Sequence, residues 1–422
     1  MGLLSIFFHQ NPQLVYQLFT IPMALIFYSM AAHGYLSVFQ RYICLMAGGL
    51  FLAILTMGPY SMLLFIAAAI FLLLVNFVEP VHIHYWVFGL QMGWQSFWHF
   101  YMQYKQYWLY ESIDCRLVLA MSALMLLSQR VTSVSMDLQD GKVIKNDQRR
   151  YQTQLYFFIP LISYILNFPA LLGGPLCSFN TYVTFVEQMS ISPPPSPFAI
   201  LPWKLSQVLI LLALKNLLAS SLQSDIFILS SHLDILWIWV FSLVLRLNYY
   251  THWKISECLN NAAGLGFNGR GPNGRALWNG LSDGNAWTIE SSKSISEFAR
   301  HWNGTTATWL RRLVFQRCSR VPLLMTFSFS ALWHGLYPGQ VIGFLGWAIA
   351  VLGDYKLHKL LRSRVKTGWR KGLYPCLSWA YTQIIISYVV LTIELQTFEA
   401  VMLFSTTLLL FPLAIVILLL IL

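Results

Sequence analysis

Residues 42–78, YICLMAGGLFLAILTMGPYSMLLFIAAAIFLLLVNFV, hold no charged side chain. At about 1.5 Å per helical residue this run is long enough to cross a roughly 30 Å hydrocarbon layer twice, and Gly58-Pro59 supplies the turn. The whole chain follows suit: 57% of its 422 residues are hydrophobic, 10% are charged and the mean hydropathy is +0.58. A soluble domain carries about 25% charged residues, so that class is excluded.

Further uncharged stretches are 14–32, 155–186, 372–393 and 400–422, with shorter or lightly charged ones near 116–128, 205–223, 226–245, 322–335 and 340–353. With about 20 residues needed per crossing, these amount to about eleven spans. Residues 82–110 crowd Trp86, Trp94, Phe97, Trp98, Phe100, Tyr101 and Tyr104 around Gln91, Gln95 and His99. Such aromatics favour the membrane interface, and the stretch reads as a re-entrant or tilted element as readily as a full span. The expected fold class is an all-α polytopic membrane protein of about 11 transmembrane helices plus a re-entrant segment, formed as one domain over 1–422. The six cysteines (44, 115, 177, 258, 318 and 376) include no CxxC pair, which argues against a disulfide framework or zinc site; they are expected to be buried thiols. No charged n-region or cleavage site opens the chain, so the first span is expected to act as an uncleaved insertion signal.

Lys and Arg collect in three loops, 129–154, 296–320 and 356–371, within a net charge of +11, and none precedes Arg41 or follows Lys371. Cytoplasmic loops attract these residues, so the N-terminus is expected in the lumen and the three loops in the cytosol. Residues 321–355 then form a helical hairpin with its tip at 333–339. The 13 residues from Val321 to His334 measure about 20 Å of helix and carry His334 towards the far face, with Asn303 on the near side. The Gly- and Asn-rich stretch 264–285 lacks the Gly-Lys-Ser/Thr ending of a phosphate loop and is a plain loop, and Pro193-Pro194-Pro195 is a rigid linker.

Two polar residues in this apolar setting carry the chemistry. A neutral imidazole at His334 takes a proton from a hydroxyl as it attacks an acyl carbon, and the Asn303 carboxamide supplies a donor for the oxygen that gains charge. The plainer alternatives stand beside these: a packed histidine bonded to a neighbour, and an asparagine within the only Asn-X-Ser/Thr sequon of the chain. In 294–314, Phe298, Trp302, Trp309 and Leu313 recur at helical spacing on one apolar face, and Arg300, Arg311 and Arg312 are available to phosphates or serve as cytosolic anchors. Phe327, Trp333 and Trp347 flank the histidine, as lining of an acyl tunnel or as interhelical packing.

Trp302-Asn303, followed by Trp309-Leu310-Arg311-Arg312 and by Ser330-Ala331-Leu332-Trp333-His334-Gly335, resembles the signature of the membrane-bound O-acyltransferase (MBOAT) family. The resemblance extends to residues 124–133, 168–174, 309–315 and 334–340. It implies a helical bundle around a through-membrane catalytic chamber in the endoplasmic reticulum, in which Asn303 and His334 are the catalytic pair. It further implies an octanoyl or other medium-chain acyl-coenzyme A as co-substrate rather than a cofactor, no metal, no nucleic acid, and a serine hydroxyl of a peptide hormone as acceptor. A lysophospholipid acceptor within the same family is the alternative. A transporter would show repeated halves with broken helices, and none is visible.

Overall fold

A computed structural model describes residues 10–143, 154–222, 234–364 and 369–407. Among them the regular elements are helical, with one isolated antiparallel bridge between Arg270 and Ala276. They divide into two compact units, residues up to 207 with 253–282, and residues 208–252 with those from 283 onward.

The first unit contains α1 (Pro12–Ala32), α2 (Val38–Met57), α3 (Met62–Phe77), α4 (Pro80–Tyr107), α5 (Cys115–Gln139), α6 (Gln154–Ile165) and α7 (Phe179–Gln188). Ser37 and Gln40 form a reciprocal capping box that starts α2, and Gly58, at φ 56°, ends it in a 3-10 turn, Gly58–Ser61, where the sequence predicts the turn. Beyond that turn the main partners differ: α2 packs chiefly on α1 and α6, α3 chiefly on α4 and α5.

Of the stretch 82–110, residues 82–107 lie in one unbroken 28-residue helix, α4, and not in a re-entrant hairpin. Its pattern is that of a membrane helix turned inside out. His84, Gln91, Gln95 and His99 are buried, while Tyr85, Trp86, Phe97, Phe100 and Tyr104 are exposed on the outer side. The polar groups are answered inside: the Ser135 hydroxyl lies 3.0 Å from His84 Nδ1, Ser128 donates to Gln95 Oε1 at 2.7 Å, and Gln91 donates to the Ala67 carbonyl at 2.7 Å.

The uncharged run 155–186 is not one continuous helix. It folds as α6 of 12 residues, a 3-10 turn at Phe168–Ala170 and α7 of 10 residues, broken by Asn167-Phe168-Pro169 and Gly173-Gly174-Pro175. A break of this kind survives at membrane depth only where protein satisfies the freed carbonyls. Here the Arg130 guanidinium, 7% exposed, donates to the Ile165 carbonyl at 3.0 Å and to that of Ala170, and Tyr16 donates to that of Phe168 at 2.6 Å. Gly49 on α2 makes room for the break, because a Cβ there would overlap the Leu166 carbonyl.

The loop 264–285 closes on itself, with Asn268 N on Leu277 O at 2.8 Å and Gly271 N on Arg275 O at 2.9 Å, a plain loop as expected. The proline linker is tied to α1 by the Tyr28 hydroxyl on the Pro194 carbonyl, 2.8 Å. The six cysteines are all free, but only Cys258 is buried; Cys44, Cys115 and Cys376 are exposed, against expectation, because they lie on outward faces of apolar helices.

Helices α8 (Leu201–Leu222) and α9 (Asp234–Ala262) contribute to both units. The second unit adds α10 (Ala286–Glu290), α11 (Ile295–His301), α12 (Gly304–Leu310), α13 (Pro322–His334), α14 (Pro338–Arg364), α15 (Trp369–Glu394) and α16 (Phe398–Thr407). The expected hairpin is present as α13 and α14, packed together and turning at residues 335–337. Gly339 N donates to the Leu395 carbonyl at 3.1 Å, so α14 begins against the end of α15.

Five helical stretches among the described residues are long and apolar enough to cross a membrane: Pro12–Ala32, Val38–Phe77, Cys115–Gln139, Leu201–Leu222 and Gly372–Glu394. The spans expected near 226–245 and 400–422 lie partly outside the described residues, as do Lys145, Arg149, Arg150 and Lys366 of the basic loops. At 13 residues, α13 reaches about 20 Å, shorter than a roughly 30 Å layer.

Candidate active site

Asn303 stands at an interruption. Ser294 caps α11, its hydroxyl accepting from Glu297 N at 3.1 Å, and Ser296 N is held by the buried Asp354 carboxylate at 3.0 Å. The helix ends at His301. Trp302 is extended at ψ 117°, Asn303 is left-handed at φ 45° and ψ 63°, and α12 starts at Gly304. Asparagine is one of the few residues with a Cβ that enter this region readily. Its side-chain oxygen accepts from Thr306 N at 3.4 Å, which makes it the N-cap of α12. Asp283, 7% exposed, fixes the other side: its carbonyl accepts from Gly304 N at 2.8 Å and its carboxylate from the Thr305 hydroxyl at 2.6 Å. A carboxylate at a helix N-terminus also complements the helix dipole.

This break overturns the single apolar face expected over 294–314. Phe298 belongs to α11 and Trp309 to α12, while Leu313 lies in a π-turn, Arg311–Phe315, closed by Gln316 N on the Arg311 carbonyl at 2.9 Å. Helical periodicity does not carry across an extended and a left-handed residue. Phe298, Trp309 and Leu313 are buried nonetheless.

His334 is the last residue of α13. Gly335, at φ 118°, ends the helix, and Gly335 N and Leu336 N both return to the Ala331 carbonyl at 3.1 and 3.0 Å. The imidazole stacks on Phe344 of α14, with centroids 5.2 Å apart at 27°, and meets Trp333 edge-on at 5.0 Å. Trp333 in turn packs on Trp309 at 5.1 Å. The helix that Asn303 caps is thereby joined to the histidine by two indoles.

A second aromatic row runs Trp302, Phe298, Trp347, Phe327, with centroid separations of 5.6, 6.2 and 5.5 Å. The structure therefore brings together Trp302, Trp347 and Phe327, joined by Phe298. The indole N–H of Trp347 is buried and has no acceptor among the described residues. Arg300 and Arg311 are exposed and Arg312 is half-buried; the aromatic rows include none of them.

One group of residues beside this site escaped the sequence reading. Arg246 of α9, wholly buried, makes a two-point ion pair with Glu290, Nε to Oε1 at 2.8 Å and Nη2 to Oε2 at 3.2 Å. The Tyr250 hydroxyl donates to the same Oε1 at 2.7 Å. The available signal was an arginine within the apolar run 235–247, since an ionisable residue at such a place needs a partner. Its partner lies 44 residues away and could not be read from spacing.

Bundled apolar helices with inward polar groups define a multi-pass membrane protein, in which His334 stands among aromatic rings and Asn303 at a helix break. Residues 97–393 match the model of MBOAT, the membrane-bound O-acyltransferase family, and the chain belongs to that family; it is an acyltransferase. It is similar to the membrane-bound ghrelin O-acyltransferase of Mus musculus, 40% identical over 402 residues that cover 93% of this chain and 92% of the relative. The Rattus norvegicus protein of the same name is 39% identical over 404 residues, with 93% and 92% covered. The Homo sapiens membrane-bound glycerophospholipid O-acyltransferase 1 is 29% identical over 377 residues, with 81% and 74% covered.

Proposed function

We propose that this protein transfers an octanoyl or other medium-chain acyl group from acyl-coenzyme A to a serine hydroxyl of the peptide hormone ghrelin, in the endoplasmic reticulum membrane. The observation that carries the acceptor is the 40% identity, over 93% of the chain, to a relative named for ghrelin acylation. The relative named for glycerophospholipids reaches 29% over 81%, which favours peptide over lipid.

In this reading His334 is the general base. Its imidazole takes the serine proton as the hydroxyl oxygen attacks the thioester carbon; the tetrahedral intermediate collapses, coenzyme A leaves as the thiolate, and the imidazolium returns the proton to sulfur. Asn303 orients the thioester and donates to its oxyanion through the carboxamide N–H. The stacking of His334 on Phe344 and its edge-on contact with Trp333 support the role by keeping water scarce around the base. Phe327, Trp333 and Trp347 line the acyl chain, Trp302 borders it, and Arg300, Arg311 and Arg312 offer cationic contacts to the coenzyme A phosphates. Acyl-coenzyme A serves as co-substrate, and the chemistry calls for no separate cofactor or metal.

The test is transfer of a labelled octanoyl group from octanoyl-coenzyme A, in microsomes containing the full chain, to a peptide beginning Gly-Ser-Ser-Phe or to lysophosphatidylcholine. The expected outcome is labelled peptide, with turnover in His334→Ala lower by about 10²–10⁴-fold. Labelled lipid alone would overturn the acceptor, and a variant within a few-fold of the parent would overturn the base.

A further inference from the structure

We propose that Tyr250, held by the Glu290–Arg246 ion pair, is a positioning residue: through Trp302 it fixes the direction of the Asn303 carboxamide. The inference rests on the reading of Asn303 as catalytic.

Glu290 is anchored at both ends. Its carboxylate takes the two-point contact from Arg246, and its carbonyl accepts from the indole of Trp379 at 2.8 Å and from Gln383 Nε2 at 2.9 Å. Arg246 is itself immobilised by Ser242 at 2.7 Å, Ser387 at 3.3 Å and the Gln383 side-chain Oε1 at 3.1 Å. This brace joins α9, α10 and α15 and offers Oε1 of Glu290 to the Tyr250 hydroxyl. The Tyr250 ring, 3% exposed, abuts Trp302 edge-on at 5.7 Å. Tyr249 meets the same indole edge-on at 5.6 Å, and Phe298 stacks on it at 5.6 Å and 17°.

Trp302 is clamped by three rings, and the next residue is Asn303. Because the peptide between them is planar, a shift of Trp302 becomes a rotation of the asparagine. On the far side Asp283 holds Gly304 and Thr305. Asn303 is thus gripped from both directions, and its left-handed backbone is the setting these grips enforce. The brace keeps its remaining contacts when the Tyr250 hydroxyl is removed, so Tyr250→Phe separates positioning from folding.

The experiment measures steady-state octanoyl transfer to the acceptor peptide by the full-length protein carrying Tyr250→Phe, Trp302→Phe or both, together with its melting temperature in detergent. The expected result for Tyr250→Phe is a kcat lower by about tenfold, since small misplacements of a reacting group are costly, with both KM values within about twofold and the melting temperature unchanged. The double variant is expected to be no slower than Trp302→Phe alone, because both changes act along one path. A kcat near that of the parent, a loss confined to KM, a loss that follows a lowered melting temperature, or multiplying effects would each overturn the proposal. Asn303→Ala is the separating arm. If it retains turnover, the catalytic reading fails and positioning with it; if it is inactive while Tyr250→Phe is unaffected, positioning alone fails.

Discussion

The helical path is interrupted at 166–170 in the first unit and again at 302–303 in the second, and the two breaks are finished in opposite ways. At the first, Arg130 and Tyr16 donate to the carbonyls of Ile165, Ala170 and Phe168, and Gly49 lets the backbone close in. Three freed backbone carbonyls are answered there, while the buried Asn167 Oδ1 has no donor among the described residues. At the second, the half-buried Asn303 keeps its carboxamide at the surface of the break, its oxygen engaged by Thr306 N at the long distance of 3.4 Å, while anchoring is delegated to Asp283 and to the rings around Trp302. A break can stabilise a fold by consuming its own hydrogen-bonding groups, or it can hold one in readiness.

The difference can be attacked from either side. The largest expected effect is on the closed break: Arg130→Ala strands two buried carbonyls and should cost about 2–6 kcal/mol, about 1–3 for each acceptor left without a donor. Thermal unfolding in detergent measures it, and a loss below about 1 kcal/mol would mean the carbonyls find other donors. Next is the open break. Asn303→Gly preserves the left-handed backbone and costs only a few tenths of a kcal/mol as a cap, yet should lower turnover by about 10²–10³-fold, the measure of a lost oxyanion donor. Full turnover in that variant would make Asn303 a structural residue like Arg130. The smallest effect is expected for Gly49→Ala. The added Cβ meets the Leu166 carbonyl, and the strain should be about 1–3 kcal/mol, read as a lower melting temperature with kcat unchanged.

The open break also explains how much of the site was legible in advance. His334 at the tip of a hairpin followed from the Pro-Gly breaker and the flanking apolar runs, and α13 and α14 end and begin around it. Asn303 was singled out by its neighbours in the chain, but periodicity hid its role as the end of one helix and the cap of the next. An extended and a left-handed residue leave no mark on the spacing of Phe298, Trp302 and Trp309. The ion pair of Arg246 with Glu290 was invisible for a different reason, since a charge in an apolar run announces that it needs a partner without naming one.

Apolarity and length by themselves determined that the chain is a multi-pass helical protein, that α2 yields to α3 at Gly58, and that residues 333–339 reverse direction, because these depend on local cost: unsatisfied peptides in hydrocarbon, and glycine and proline in turns. Only the tertiary structure decided which apolar run is one continuous helix and which is a pair of short helices locked by Arg130. It also decided which aromatics gather around His334 and which hold Trp302. Those outcomes depend on groups tens to hundreds of residues apart meeting at hydrogen-bond and van der Waals distance, and the hydrophobic effect that drives burial is non-directional and does not specify such pairings.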